Sequence, residues 1–257
     1  MKYTQELCPI IKKVQLNPTT YSFTVQSQKA VQTMNHGQFA NLRAEGKTLR
    51  RPISVCEFSR EEQWIRFVFE VRGEGTGIIS QKTEGDSLDI LAPLGNGFTI
   101  DPNERAVFVG GGIGVPPLLG SSKPYGGNAT VLLGFRNEKA IILADDFKAN
   151  GADVRIATDD GSFGHHGFVT QLLAQRLNEA ACDAVYACGP IPMLKLVAAE
   201  AEQRGIRCMV SLEERMGCGI GACLVCACKT RREDGSETYR HVCKNGPVFD
   251  SREVIWE

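Results

Sequence analysis

The chain has 257 residues, a formal net charge of −1 at pH 7, 42% hydrophobic residues and 23% charged residues. These values predict a soluble globular protein of one large domain or two to three small ones. No block of lysine and arginine suggests a nucleic-acid or membrane surface, and no apolar run is long enough to span a membrane.

The ten cysteines bear on the cellular compartment. We find no export signal, so we expect a reducing compartment, the cytoplasm, where thiolates stay available for metal. A disulfide framework is disfavoured because the cysteines bunch instead of spreading along the chain. Four cysteines outside the bunches are expected to be small buried side chains, namely Cys8, Cys56, Cys182 and Cys208.

The first hundred residues have the pattern of β-structure. The segments VQLNPTTYSFTVQ, WIRFVFEVRG and DSLDILAPLG are rich in Val, Ile, Phe and Thr, and turn residues separate them. Short strands at this spacing predict a small antiparallel barrel over residues 1–100.

A second pattern begins near Asp101. Short apolar strands (AVFVGGGIG, ATVLLGF, ADVRIAT, DAVYACG) alternate with helical patterns such as FVTQLLAQRLNEA and IPMLKLVAAEAEQRG. This alternation predicts a doubly wound parallel sheet over residues 101–210, followed by a small cysteine-rich segment over 211–257. Pro124 should cut short the helix after the first of these strands.

Within the barrel region, two motifs offer polar groups to a ligand. RPISV supplies Arg51 and the small hydroxyl of Ser54, and VRGEGTG supplies Gly75 and Thr76 ahead of a short helical stretch suited to a phosphate. Each motif taken singly is more often a turn than a ligand site.

Two strand ends of the predicted sheet carry turns suited to a dinucleotide. In VFVGGGIGVPPL, glycines between a strand and a helix let a pyrophosphate approach the backbone. In YACGPIPML, a thiol stands at the carboxyl end of a strand, where the nicotinamide end would lie. The alternatives are a structural tight turn and a buried cysteine before a helix. The candidates are Gly110, Gly111, Gly112, Gly114, Cys188, Gly189 and Pro190.

The stretch GCGIGACLVCAC has the C-x4-C-x2-C spacing of a plant-type [2Fe–2S] site, whose fourth cysteine is remote. Glycines between the thiolates let the backbone approach the sulfides. Zinc is the alternative, kept open by His241 beside Cys243, although zinc does not need these glycines. Cys228 competes with Cys243 for the fourth position. The predicted ligands are Cys218, Cys223, Cys226 and Cys243.

Taken in order, RPIS, GEGTG, PLGNGF, GGGIGVPPL, TDDGSFG, CGP and the cysteine motif resemble the electron-transfer subunit of dihydroorotate dehydrogenase B. That family lies within the ferredoxin–NAD(P) reductase superfamily, and the resemblance covers essentially the whole chain. It implies an FAD-binding barrel, an NAD-binding α/β domain with NAD as soluble redox partner, and a [2Fe–2S] segment. It also implies a catalytic, FMN-containing partner that oxidises dihydroorotate to orotate in pyrimidine biosynthesis, in a heterotetramer of two of each subunit.

The resemblance assigns roles to individual residues. Arg51 would meet the FAD pyrophosphate, and Gly75 and Thr76 would hold its phosphates. Ser54 would lie near the reactive flavin nitrogen, and Cys188 near the nicotinamide, as the two catalytic candidates. Further FAD contacts are implied for Pro52, Ile53, Val68, Phe69 and Glu70.

Two alternative functions differ in kind. A small subunit of an NADPH–ferredoxin oxidoreductase or sulfhydrogenase resembles this family closely, but some of those subunits replace a cluster cysteine by aspartate. A zinc-stabilised nucleotide-binding regulator would purify colourless. Arg136 could face a 2′-phosphate or solvent, so NAD and NADP both stay open. His165 and His166 are predicted surface residues in a loop.

Overall fold

The computed structural model describes residues 3–256. Its first unit is a closed barrel of antiparallel strands in the order β1-β2-β5-β4-β3-β6, with a short helix, α1, after β5. Alternate strand residues such as Phe23, Phe67 and Ile90 fill the barrel interior. The predicted barrel is confirmed. The elements are β1 (Thr4–Asn17), β2 (Thr20–Gln26), β3 (Phe39–Leu42), β4 (Arg51–Ser59), β5 (Trp64–Glu70), α1 (Glu74–Gln81) and β6 (Ser87–Leu94).

The second unit is a seven-stranded sheet in the order β10-β9-β8-β7-β11-β12-β15. Its elements are β7 (Ala106–Gly111), α2 (Pro116–Ser122), β8 (Ala129–Phe135), α3 (Ala144–Ala149), β9 (Asp153–Thr158), β10 (His165–His166), α4 (Val169–Glu179), β11 (Ala184–Cys188), α5 (Ile191–Gln203), β12 (Arg207–Ser211) and β15 (Val248–Asp250). As Pro124 predicts, α2 ends before that residue.

Helices cover both faces of the sheet. Phe108 of β7 packs with Leu118 of α2 and Phe147 of α3 on one face. Val107, the neighbour of Phe108, packs on the other face with Leu172 of α4, in the core that also holds α5. Each central strand therefore buries both of its faces, which explains its continuous apolar sequence. The predicted doubly wound sheet is confirmed.

The C-terminal segment does not form a separate layer. Its hairpin pairs β13 (Ala227–Arg231) with β14 (Glu237–His241), and β15 then joins the large sheet antiparallel to β12. The sheet is therefore mixed, not wholly parallel as the sequence suggested. Asn96, in the turn after β6, binds the same segment through its amide N–H to Gly246 O at 2.6 Å and its side chain to Asn245 O at 2.9 Å. The segment thus contacts both larger units.

The structure also tests what the sequence predicted for the isolated cysteines and for the two adjacent histidines. All ten cysteines are free; Cys8, Cys56 and Cys208 are buried as predicted, whereas Cys182 is half-buried. His165 and His166 form the edge strand β10, not a loop. His166 is exposed, and His165 is half-buried with Nε2 3.0 Å from Gln171 Oε1. None of the helices between residues 3 and 256 has the length and apolarity needed to cross a membrane.

The barrel and the sheet meet where α2 packs against β4. A Cβ added to Gly120 of α2 would lie 2.8 Å from Cys56 O and 3.2 Å from His36 Nδ1. In an open helix, Gly→Ala stabilises by about 1 kcal/mol. Here we expect Gly120→Ala to destabilise by about 1–3 kcal/mol, because the methyl group overpacks against backbone.

The measurement is the thermal unfolding midpoint of Gly120→Ala beside Gly127→Ala. Gly127 is the matched control because a Cβ there meets nothing within 4 Å. A Gly120→Ala protein as stable as Gly127→Ala would contradict this account of the interface.

Candidate functional site

A cavity of about 1330 Å³ lies between the barrel and the sheet. Strands β4 and β5 and helix α1 supply one wall, and the turns that follow β7 and β11 supply the opposite wall. The cavity brings together fourteen of the residues that the sequence nominated: Arg51, Pro52, Ile53, Ser54, Val68, Phe69, Glu70, Thr76, Gly111, Gly112, Gly114, Cys188, Gly189 and Pro190.

On the barrel side, β5 lines the cavity with Val68, Phe69 and Glu70. The Phe69 ring packs edge-on against Phe23 at 5.3 Å inside the barrel, so the ring points away from the cavity. The Glu70 carboxylate accepts a bond from Arg72 Nε at 2.7 Å. At the start of α1, Thr76 Oγ1 accepts from Arg72 N at 3.1 Å and donates to Gly73 O at 3.0 Å. This fixes the turn in front of the helix.

Two nominated glycines, Gly75 and Gly110, are not among the lining residues. A Cβ on Gly75 would collide with the guanidinium group of Arg51, so this glycine makes room for that side chain. Arg51 Nη1 donates to Leu49 O at 2.6 Å. A Cβ on Gly110 would lie 2.8 Å from Val115 Cγ2. Both glycines therefore permit close packing behind the cavity wall.

On the sheet side, the cavity opens at the carboxyl ends of β7 and β11. Connections run to opposite faces from these adjacent strands, which makes this the point where open α/β sheets bind ligands. A Cβ on Gly114 would lie 2.5 Å from Cys188 O. Burial raises the pKa of the Cys188 thiol to about 12, although a hydrogen bond with Ser211 opposes the rise. Cys188 is therefore a neutral thiol at pH 7.

The cavity wall also contains residues that the sequence analysis did not assign. Ser211 ends β12, and Glu213 and Glu214 follow it. The available signal was RCMVS, a short apolar segment after a helix, which resembles the other buried strands. Other lining residues to which the sequence analysis gave no role include Phe39, Asp159, Met216 and Pro247.

The cysteine loop directs backbone N–H groups at one sulfur atom. Ala222 N donates to Cys218 Sγ at 3.2 Å, and Ile220 N and Cys223 N donate to it at 3.4 Å. Burial raises the pKa of the Cys218 thiol, but hydrogen bonds from these N–H groups and from the Cys223 side chain outweigh burial and lower it to about 6. The loop is thus built to hold a thiolate without a basic side chain.

Two further cysteines close the base of this loop. Cys226 and Cys243 are each 2% exposed, and Cys243 N donates to Cys226 Sγ at 3.4 Å. Burial and the neighbouring Cys226 raise the pKa of Cys243 to about 12, while a bond from the Gly221 N–H opposes this. Cys223 Sγ accepts from Cys218 N at 3.3 Å. Cys218 and Cys223 thus form one contacting pair and Cys226 and Cys243 another, and no three of these side chains converge on one metal position within residues 3–256. Two pairs of thiols beside backbone N–H groups are a donor set that fits an anionic two-iron core.

Cys228 lies apart from this arrangement. It is on β13 opposite Arg240, and its thiol donates to Arg240 O at 3.5 Å across the hairpin. Burial raises its pKa to about 11. The ring of His241, which kept zinc open, has its buried Nδ1 without a hydrogen-bond partner among residues 3–256.

Known proteins match the C-terminal segment in particular and also the chain as a whole. The family model for the iron-sulfur cluster binding domain of dihydroorotate dehydrogenase B matches residues 213–255. The chain is 40% identical over 261 residues to the dihydroorotate dehydrogenase B (NAD(+)) electron transfer subunit of Geobacillus thermodenitrificans, with 98% of each covered. It is 36% identical to the subunit of the same name from Shouchella clausii, with 99% and 100% covered.

Solved structures agree in fold. The NADH-dependent reduced ferredoxin-NADP oxidoreductase, studied for flavin-based electron bifurcation, superposes with a TM-score of 0.86 at 32% identity, covering 98% of this chain and 90% of that one. The flavohem-like FAD/NAD binding domain of nitric oxide dioxygenase from Vibrio cholerae has a TM-score of 0.64 at 20% identity, covering 78% and 93%. The second similarity shows the fold alone.

The contrast between Cys218 and Cys228 predicts different thiol reactivity in iron-free protein. Near pH 7.5, Cys218 should be mostly thiolate and Cys228 mostly thiol, given pKa values of about 6 and about 11. We expect iodoacetamide to modify Cys218 at least about tenfold faster, because the thiolate is the nucleophile.

Peptide mass spectrometry over a time course measures both rates in one sample. The Cys218 rate should rise as the pH increases through about 6 and then level off. Equal rates at the two cysteines would show that the loop does not lower the Cys218 pKa.

Proposed function

Because this chain belongs to the family of dihydroorotate dehydrogenase B electron transfer subunits, we propose a cofactor for each of its parts. It is an oxidoreductase subunit that transfers electrons in the NAD-dependent enzyme. We assign FAD to the barrel, residues 1–100, NAD as soluble redox partner to residues 101–210, and a [2Fe–2S] cluster to residues 211–257. When bound, FAD exchanges electron pairs with a nicotinamide and single electrons with a cluster.

The observation that carries this proposal is the shared cavity. It joins the barrel motif RPIS to the turns after β7 and β11. Arg51 is the cation placed to bind a pyrophosphate, since a guanidinium group makes paired hydrogen bonds with phosphate. Ser54 and Cys188 stand on opposite walls, where a stacked flavin and nicotinamide would lie between them. Because the Cys188 thiol is neutral, it would fill space beside the flavin and nicotinamide rings without adding a negative charge there.

For the cluster, we propose Cys218, Cys223, Cys226 and Cys243 as ligands. Support comes from the N–H groups aimed at Cys218 Sγ and from the contact between Cys226 and Cys243. The Cys228 thiol instead donates to the carbonyl of Arg240 on the neighbouring strand of the hairpin. Thiolates are the preferred ligands of iron–sulfur clusters, and the loop N–H groups favour their charged form.

A catalytic subunit completes the enzyme, as the role of an electron transfer subunit requires. We propose that this partner carries FMN and oxidises dihydroorotate to orotate in cytoplasmic pyrimidine biosynthesis, in a heterotetramer of two of each subunit. The second candidate, a small subunit that serves a ferredoxin reductase, rests on the similarity at 32% identity to the ferredoxin-NADP oxidoreductase. Co-purification with a tagged catalytic subunit separates the two candidates.

The test of the cluster assignment compares Cys243→Ser with Cys228→Ser. We expect Cys243→Ser to lose most of its iron and the reduced-state paramagnetic signal, because serine is a poorer iron ligand than cysteine. Cys228→Ser should keep both. Iron analysis and electron paramagnetic resonance on the two purified variants give the result.

Activity assays extend this test to the whole proposal. Cys243→Ser should retain FAD and its bleaching by NADH, yet deliver almost no electrons to the catalytic subunit, because flavin reduction does not need the cluster. If Cys228→Ser alone loses iron, the fourth ligand is Cys228. If the wild-type protein binds neither flavin nor iron, the proposed function is wrong.

A further variant tests the FAD site. Arg51→Ala should weaken FAD retention by about tenfold or more while leaving iron content unchanged, because a charge-assisted phosphate contact is lost. Arg43→Ala is the control, since Arg43 is exposed on the barrel outside the cavity. Flavin absorbance after dialysis measures retention, and wild-type flavin content in Arg51→Ala would refute the assignment.

A further inference from the structure

Asn41 joins the two parts of the chain to which the proposed function assigns FAD and the cluster. It lies on β3, directly opposite Pro52 of the RPIS strand. Its side chain is 1% exposed, and Nδ2 donates to the carbonyl oxygen of Cys218 at 3.3 Å. A buried amide beside the RPIS strand, part of the cavity wall, therefore binds the first cysteine of the loop.

The loop is shaped to fit this side chain. Gly219 has φ +74, and a Cβ on it would collide with Asn41 Nδ2 and lie 3.4 Å from Leu94 Cδ1. The peptide that links Cys218 to Gly219 thus rests directly on Asn41. In a trans peptide, C=O and N–H point in opposite directions. With its carbonyl held by Asn41, this peptide turns its own N–H away from Asn41, and the next N–H group along the loop, that of Ile220, donates to Cys218 Sγ at 3.4 Å.

The other half of the amide argues against a purely structural role. Asn41 Oδ1 is buried and has no hydrogen-bond partner among residues 3–256. An unpaired buried acceptor destabilises a fold, so an apolar side chain would suit this buried position better, on the outer face of β3 between the barrel and the cysteine loop. What asparagine offers here and an apolar residue does not is the Nδ2 donor, which binds the cysteine loop.

We propose that Asn41 is a positioning residue for electron transfer, holding the Cys218–Gly219 peptide so that the loop keeps its N–H groups toward the cluster. This inference rests on the proposed function, because it needs a cluster in the loop. Hydrogen bonds to cluster sulfur raise the reduction potential, since reduction adds negative charge. Releasing the peptide from Asn41 lets it rotate, weakens those bonds and lowers the potential.

The experiment is a redox titration of the full chain, purified with its flavin and iron and followed by the cluster's paramagnetic signal. Asn41→Leu removes the donor and keeps the branched shape, and Asn41→Ala removes it without added bulk. At a fixed ambient potential, the ratio of reduced to oxidised cluster should fall by about tenfold in both variants. For a one-electron couple this is a shift of about 59 mV.

Gln26→Leu is the matched control. The Gln26 side chain also donates to backbone carbonyls of the barrel, to Glu62 O at 3.1 Å and Gln63 O at 2.9 Å, at the distant end of β2. Its cluster potential should equal that of the wild type, and NADH should bleach the flavin in all three variants.

The possible results distinguish a failure of the Asn41 inference from a failure of the proposed function. A fall below about twofold in the Asn41 variants, with the wild-type signal present, overturns this inference and leaves the proposed function standing. If Asn41→Leu does not fold, Asn41→Ala decides. Loss of iron with wild-type flavin content in both variants supports the inference, because the loop then needs Asn41 to form. A wild-type protein without the paramagnetic signal refutes the proposed function itself.

Discussion

The turn that follows β7 approaches the carboxyl end of β11 more closely than a side chain would allow. At Gly114, the backbone passes so near the Cys188 carbonyl that a Cβ would lie 2.5 Å from that oxygen. Because connections leave these adjacent strands toward opposite faces, the sheet opens a crevice here, and β4 and β5 of the barrel close its other side. The proposed flavin and nicotinamide sites and the catalytic candidates all lie at this crevice.

The C-terminal segment is held by both larger units. Strand β15 extends the sheet beside β12, and Asn96 of the barrel turn binds Gly246 and Asn245 through its amide groups. Asn41, on the outer face of β3, adds a contact from the barrel to Cys218. These hydrogen bonds, from backbone N–H groups and from the two asparagine side chains, fix the C-terminal segment to both larger units.

The same residue type serves opposite chemistry in two places. Burial raises the pKa of Cys188 to about 12, which keeps a neutral thiol beside the cavity. Backbone N–H groups lower the pKa of Cys218 to about 6, which favours a thiolate. No charged side chain is needed for either effect, since desolvation acts on the first thiol and peptide dipoles on the second.

The sequence by itself determined what local pattern and spacing encode. Apolar runs between turns predicted the barrel strands, the alternation of strands and helices predicted the wound sheet, and the cysteine spacing predicted the cluster loop. The tertiary structure alone decided contacts between distant segments. Residues 41 and 218 meet although 177 positions separate them, β15 reverses direction within the sheet, and Glu213 reaches the cavity. Such contacts depend on how whole layers pack, and no local periodicity records that packing.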